Sequence, residues 1–217
     1  IGELNTVMEE LIPEIRKVGE ADTDVKVAVL TFSTDIKWMY SAPISIEEFQ
    51  WSRLNASGVT SMGAAFEELS ARMSRNSFLS SPSLSFAPVI FLMTDGYPSD
   101  DYKKGLRELY SNSWYKFGLK AALGIGNEAN DDMLAEFTGS KDTVVHAYTG
   151  SQLAQMIKIV AVTASQIGSK SMTLSEDNGK ELNADDVFAS KQKLLGQQIQ
   201  ELVSQEDSDD ISFDTGW

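Results

Sequence analysis

The chain contains no cysteine. That absence excludes a disulfide scaffold, a zinc–thiolate site and a cysteine nucleophile. There is a single histidine, His146, so a multi-histidine metal site and a two-histidine mechanism are excluded as well. No apolar run approaches the roughly 20 residues that a membrane helix needs. Basic residues are scarce: 18 Lys and Arg stand against 32 Asp and Glu, a net charge of −14. That balance argues against nucleic acid and anionic membrane as main partners. What remains is a chain of 217 residues, 42% of them hydrophobic. It is long enough for one globular domain with an appendage. It opens on Ile1 with no secretory signal pattern behind it. A cytoplasmic location is therefore expected, and so is a longer parent polypeptide.

Hydrophobic spacing alternates between helix and strand. Leu4, Val7, Met8, Leu11, Ile12, Ile15 and Val18 form one helical stripe. Val25 to Phe32 reads as a strand covered on both faces, and Ile36 to Tyr40 as a second, antiparallel one. The small-residue loop 55–61 leads into a helix over Met62 to Met73. Pro88 to Thr94 is the most apolar strand and stops at Asp95-Gly96. A helix over Asp100 to Tyr110, a strand over Phe117 to Ile125 and a short helix over Asp131 to Phe137 follow. The last elements of this part are a strand over Thr143 to Tyr148 and a helix over Ser151 to Ile167. Such alternation predicts an α/β fold with a mainly parallel sheet flanked by helices.

Residues 169–217 differ in composition. They hold 11 acidic and 4 basic residues, a net of −7. We read them as an acidic C-terminal extension of a domain spanning 1–168. Helical spacing over about 185–204 predicts an amphipathic helix, either folded back on the domain or free for a partner. Residues 204–217 read as a solvated, disordered tail.

Chemistry in parallel α/β sheets collects beyond the carboxyl ends of the strands. Asp95 stands there, as a metal ligand, an acid–base group or a plain turn aspartate. Thr60 stands in a Gly-x-Thr-Ser loop before a helix, where Thr60 or Ser61 caps the helix or Thr60 coordinates a hard cation. Other candidates carry bland readings. His146 reads as a structural or surface histidine. Gly124-Ile125-Gly126 lacks the third glycine of a dinucleotide loop and reads as a tight turn. Asp131-Asp132 and Asp100-Asp101 read as helix-opening residues, with a supporting role at a metal open for the latter pair. Asp177-Asn178-Gly179 reads as a turn rather than a calcium loop. Trp38, Trp51 and Trp114 read as packing residues.

Taken in order, three segments resemble successive motifs of the von Willebrand factor A (vWA) domain. They are Gly58-Val59-Thr60-Ser61-Met62-Gly63-Ala64-Ala65, Val89-Ile90-Phe91-Leu92-Met93-Thr94-Asp95-Gly96 and Leu123-Gly124-Ile125-Gly126. The resemblance covers about residues 1–168. Met93 to Asp101 and the Phe49–Leu54 segment look most like the bacterial tellurium-resistance-associated, TerY-type branch. The resemblance implies a Rossmann-like fold and a metal-ion-dependent adhesion site. There Mg2+, with Mn2+ or Ca2+ as alternatives, bridges to an acidic side chain of a protein partner. Thr60 and Asp95 match two of the ligands. The family's Asp-x-Ser-x-Ser loop and the strand before it are absent from these 217 residues. That strand would lie between 25–32 and 88–94, so an upstream segment, a donated strand or the returning segment 211–216 is expected to fill the place. The expected function is non-enzymatic protein binding in a bacterial stress-response or signalling assembly. The alternatives are a metal-free scaffold of the same fold and a metal-dependent hydrolase.

Overall fold

A computed structural model describes residues 1–16, 25–79, 88–169 and 184–211. The first helix, α1, spans Gly2–Ile15. Four short strands follow: β1 (Lys26–Val27), β2 (Leu30–Phe32), β3 (Ile36–Trp38) and β4 (Ile44–Ser45). The chain continues with α2 (Met62–Arg72), β5 (Val89–Thr94), α3 (Tyr102–Ser111), α4 (Ser113–Phe117) and β6 (Leu119–Ile125). It then forms α5 (Asp131–Thr138), a 3-10 turn (Lys141–Thr143), β7 (Val144–Ala147), α6 (Gly150–Ser169) and α7 (Ala184–Ile211).

β5, β6 and β7 form one parallel sheet with β6 in the centre. β6 is buried from Leu119 to Gly124. Its period of two sorts the core. Leu119, Ala121 and Leu123 face a cluster built with α1, α6 and α7. Ala122 faces a second cluster built with α2 to α5. Helices therefore cover both faces, as a parallel sheet requires. On α6 the stripe Leu153, Met156, Ile157, Val160 and Ala164 is buried, as its spacing predicts. α2 and α3 approach closely because both crossing points are glycine. A Cβ on Gly105 would collide with the Gly63 carbonyl oxygen.

The segment expected as one buried strand, Val25 to Phe32, is instead interrupted and half-exposed. β1 pairs antiparallel with β4, and β2 with β3, as one long hairpin. The reason is its position. Among the described residues no hydrogen bond joins this hairpin to β5. The hairpin and the parallel sheet share a layer all the same. α1 places Val7 and Leu11 in the core of the parallel sheet and Ile12 against Ile46 and Phe49 beside the hairpin. On the other face, Phe32 of β2 and Leu92 of β5 both pack in the α2 cluster. The strands also end at the same level. The Ser61 N–H donates to the Ser33 carbonyl at 3.2 Å, and the Ser99 N–H donates to the Thr60 carbonyl at 2.8 Å. One loop, 58–61, thus ties the carboxyl ends of β2 and β5 together.

Polar side chains lock this arrangement. Buried Asn5 of α1 donates to the Leu54 carbonyl and accepts from Leu54 N–H and Trp51 Nε1. Arg16 donates to the carbonyls of Ile46 and Phe49. On α7, Leu195 and Ile199 are fully buried. Gln192 there accepts from Lys120 N–H at 2.9 Å and donates to the Lys120 carbonyl at 2.7 Å. It stands in for a strand where the β7 ladder, which begins at Ala122, has not started. Lys120 itself is 7% exposed. Its Nζ donates to the carbonyls of Tyr115 and Gly118 and lies 5.0 Å from the Tyr115 ring centre. Burial lowers its pKa to about 8.

Two outcomes follow. Asn5→Ala strands three polar groups at once, so denaturant unfolding should show a loss of about 2–3 kcal/mol. For Lys120, both folded and unfolded chains carry the charge below pH 8. Between pH 8 and the ordinary lysine range the folded chain sheds its proton first, so stability rises with pH. Relative to Lys120→Met, the natural chain should gain roughly 1–2 kcal/mol between about pH 7.5 and 10. The comparison stops there because burial also raises the pKa of Tyr115 and Tyr110, whose effect opposes the gain at higher pH.

Candidate functional site

The carboxyl end of the layer gathers the loops after β2, β5, β6 and β7. Loop 58–61 precedes α2. Ser61 occupies the N-cap position of α2, yet no side chain of its own caps the helix. The cap comes from another loop. Asp100 accepts from Gly63 N–H at 2.8 Å through one oxygen and from Ala64 N–H at 3.0 Å through the other. A carboxylate on a helix amino end satisfies orphan donors and the positive end of the helix together. Only Asp101 caps α3, accepting from Lys104 N–H. The expectation that both aspartates open their own helix is therefore corrected. Asp100 serves α2, because α2 and α3 start side by side across the Gly63–Gly105 contact.

This substitution changes what Thr60 can do. The expected cap by Thr60 or Ser61 is absent, and the Thr60 hydroxyl makes no hydrogen bond among the described residues. It lies against the Asp95–Gly96 turn: a Cβ on Gly96 would come within 3.3 Å of Thr60 Oγ1. Asp95 is exposed and has no hydrogen bond or ion pair among the described residues. Thr94 Oγ1 instead serves the turn, bonding to the Gly96 backbone. The structure thus brings the Thr60 and Asp95 loops together and leaves both side chains uncommitted. Their hard oxygens fit a cation such as Mg2+ in kind. They do not fit in number, since an octahedral ion needs six oxygens. Among the described residues there is no group of three His, Asp or Glu that could hold a metal ion.

A second feature lies beside it. A polar cavity of about 350 Å3 opens at the carboxyl ends of β6 and β7. His146 Nε2 lies 3.0 Å from an Asp131 carboxylate oxygen, and the imidazole stacks on Tyr148 with ring centres 6.1 Å apart. The other nitrogen, Nδ1, is buried against Gly124 without a hydrogen-bond partner. Gly124 is required there, because a Cβ would stand 2.6 Å from the imidazole. The helix cap at α5 is Asn130, which accepts from Met133 N–H. Asp131 and Asp132 follow in the first turn rather than capping it. Trp38 and Trp51 donate to Glu68 and Asn5, and Trp114 packs in the α2 cluster. The 177–179 turn and residues 212–217 lie outside the described residues. Sequence reasoning missed Tyr97 and Tyr148 at this end. Their only signal is position, as large aromatics directly after strand ends.

No family model matches the chain, and no curated protein matches it. Solved structures do. Proximal thread matrix protein 1 from the mussel byssus, in a form described as having a zinc-occupied MIDAS motif, aligns with TM-score 0.60 at 16% identity. The alignment covers 76% of this chain and 42% of the mussel protein. A von Willebrand factor type A structure from Catenulispora acidiphila aligns with TM-score 0.53 at 15% identity, covering 75% of this chain and 38% of that one. The chain therefore spans less than half the length of either. The fold is vWA-like.

Removing the cross-loop cap gives a direct check. Asp100→Ala should cost about 1–2 kcal/mol in thermal or denaturant unfolding, while Asp101, still in place, keeps α3 capped.

Proposed function

We propose that this chain is a non-enzymatic protein-binding module whose carboxyl end carries part of a divalent-cation site, with Thr60 and Asp95 as ligands. The observation that carries this reading is the pair of uncommitted hard oxygens on loops locked together by the Ser99–Thr60 and Asp100–Gly63 hydrogen bonds. The zinc-occupied motif of the mussel structure lends support, as a property of that protein. A bound cation would supply an open position that takes a partner's carboxylate. This chain's residues would hold it from one side, and water, the partner and oxygens outside the described residues would complete the shell. Residues 1–168 form the binding domain in this reading, and 169–217 an acidic extension. The likeness to the TerY-type branch points to a bacterial, cytoplasmic assembly of the tellurium-resistance stress-response kind, with Mg2+ as the ion.

The count of two ligands favours one rival, a metal-free scaffold of the same fold that binds through its helices or its tail. Titration with Mn2+, read by paramagnetic broadening, separates them. Broadening confined to residues 58–61 and 95–100, and abolished by Asp95→Ala and by Thr60→Ala, is the expected result. Broadening unchanged in both variants, or none at all, would leave the scaffold reading. Phosphoester turnover that disappears with Asp95→Ala would instead revive a hydrolase.

A further inference from the structure

The cavity at the ends of β6 and β7 is separate from the Thr60–Asp95 pair. Tyr97 and Tyr148 line it together with Asn127, Asp131, Asp132 and His146, whose Nε2 lies 3.0 Å from Asp131. We propose that this cavity receives an arginine side chain of a protein partner.

Its chemistry selects the ligand. Two carboxylates line it and no lysine or arginine does, so an anion is repelled. The amino end of α5 contributes only about half a positive charge, which two carboxylates outweigh. A metal ion is a poor occupant, since no three acidic or imidazole groups converge among the described residues. An aliphatic group would desolvate carboxylates and amides without pairing them. A guanidinium satisfies each feature. Its flat face stacks on a tyrosine ring, and its donors match a carboxylate in pairs. A lysine ammonium, compact and strongly hydrated, uses only the charge.

Two further observations favour a protein partner. Tyr97 is 63% exposed and Tyr148 60% exposed. Large aromatic rings that line a polar cavity and stand in solvent are the composition of a docking centre. The Tyr148 ring already stacks on His146, so little of its freedom is lost on binding. Tyr97 also stands two residues beyond Asp95. An arginine in the cavity and a carboxylate at the Thr60–Asp95 loops would come from neighbouring positions of one partner surface. The arginine site needs no ion, so it stands whether or not the cation reading does.

The test uses the single histidine. In the full chain His146 gives one unambiguous imidazole signal in a proton NMR spectrum. Titration with N-acetyl-arginine amide should move that signal and the Tyr148 ring signals saturably. N-acetyl-lysine amide should bind about tenfold more weakly. Asp132→Asn and Tyr148→Ala should each weaken the arginine response by about tenfold, whereas Asp95→Ala and Thr60→Ala should leave it unchanged. Asp131→Asn is a third variant, and the other two carry the test if it also moves the neighbouring imidazole. A linear drift equal to that from lysine amide or sodium chloride would overturn the proposal. So would saturable binding indifferent to both Asp132→Asn and Tyr148→Ala.

Discussion

The β layer of this molecule is parted. The hairpin of β1 to β4 and the parallel sheet of β5 to β7 share a layer without a common ladder among the described residues. Among the described residues, helices and loops hold them in register. α1 spans the parting on one face through Val7, Leu11 and Ile12, and fixes its angle with Asn5 and Arg16. α2 spans it on the other through Met62 and Phe66. Loop 58–61 closes the carboxyl end. The half-exposure of β2, against the full burial of β6, follows from lying at this parting rather than in the centre.

The parting also concentrates chemistry. The loop that ties the two sheets is the loop that carries Thr60, so its backbone is consumed by structure while its hydroxyl is not. Asp100 makes this possible by capping α2 from outside. A helix that recruits its cap from a neighbouring loop couples the two loops and frees its own polar side chain. The same carboxyl end supports the tyrosine-lined cavity, because parallel strands deliver all their following loops to one side. A partner approaching this end meets hard oxygens, carboxylates and exposed aromatic rings within one surface.

Polar side chains at the margin of the core, buried Asn5 and half-buried Gln192, act as register pins. Asn5 matches both the N–H and the carbonyl of Leu54. Gln192 does the same for Lys120 and thereby places α7 along β6. Each contact is directional, so a slipped helix would leave partly buried backbone groups unpaired, at greater cost than an apolar mismatch.

The α/β class and the longer helices and strands were legible in the sequence because apolar spacing is a local property, whereas β4 and α4, the latter taking Phe117 from the expected strand, are too short to show it. The stripe on α6 and the buried run at 119–124 are read directly from residue types. Thr60 and Asp95 were also legible as candidates, since strand ends and helix starts can be located from the same spacing. What each does was not. Thr60 reads as a cap until a carboxylate 40 residues away takes that duty, and Asp100 reads as part of its own helix until α3 packs against α2. His146 looks bland until folding lays it over Gly124 and against Asp131. Periodicity fixes which face of an element is apolar. Only the packing of elements distant in sequence decides which polar groups find partners, and a binding site is made of those that do not.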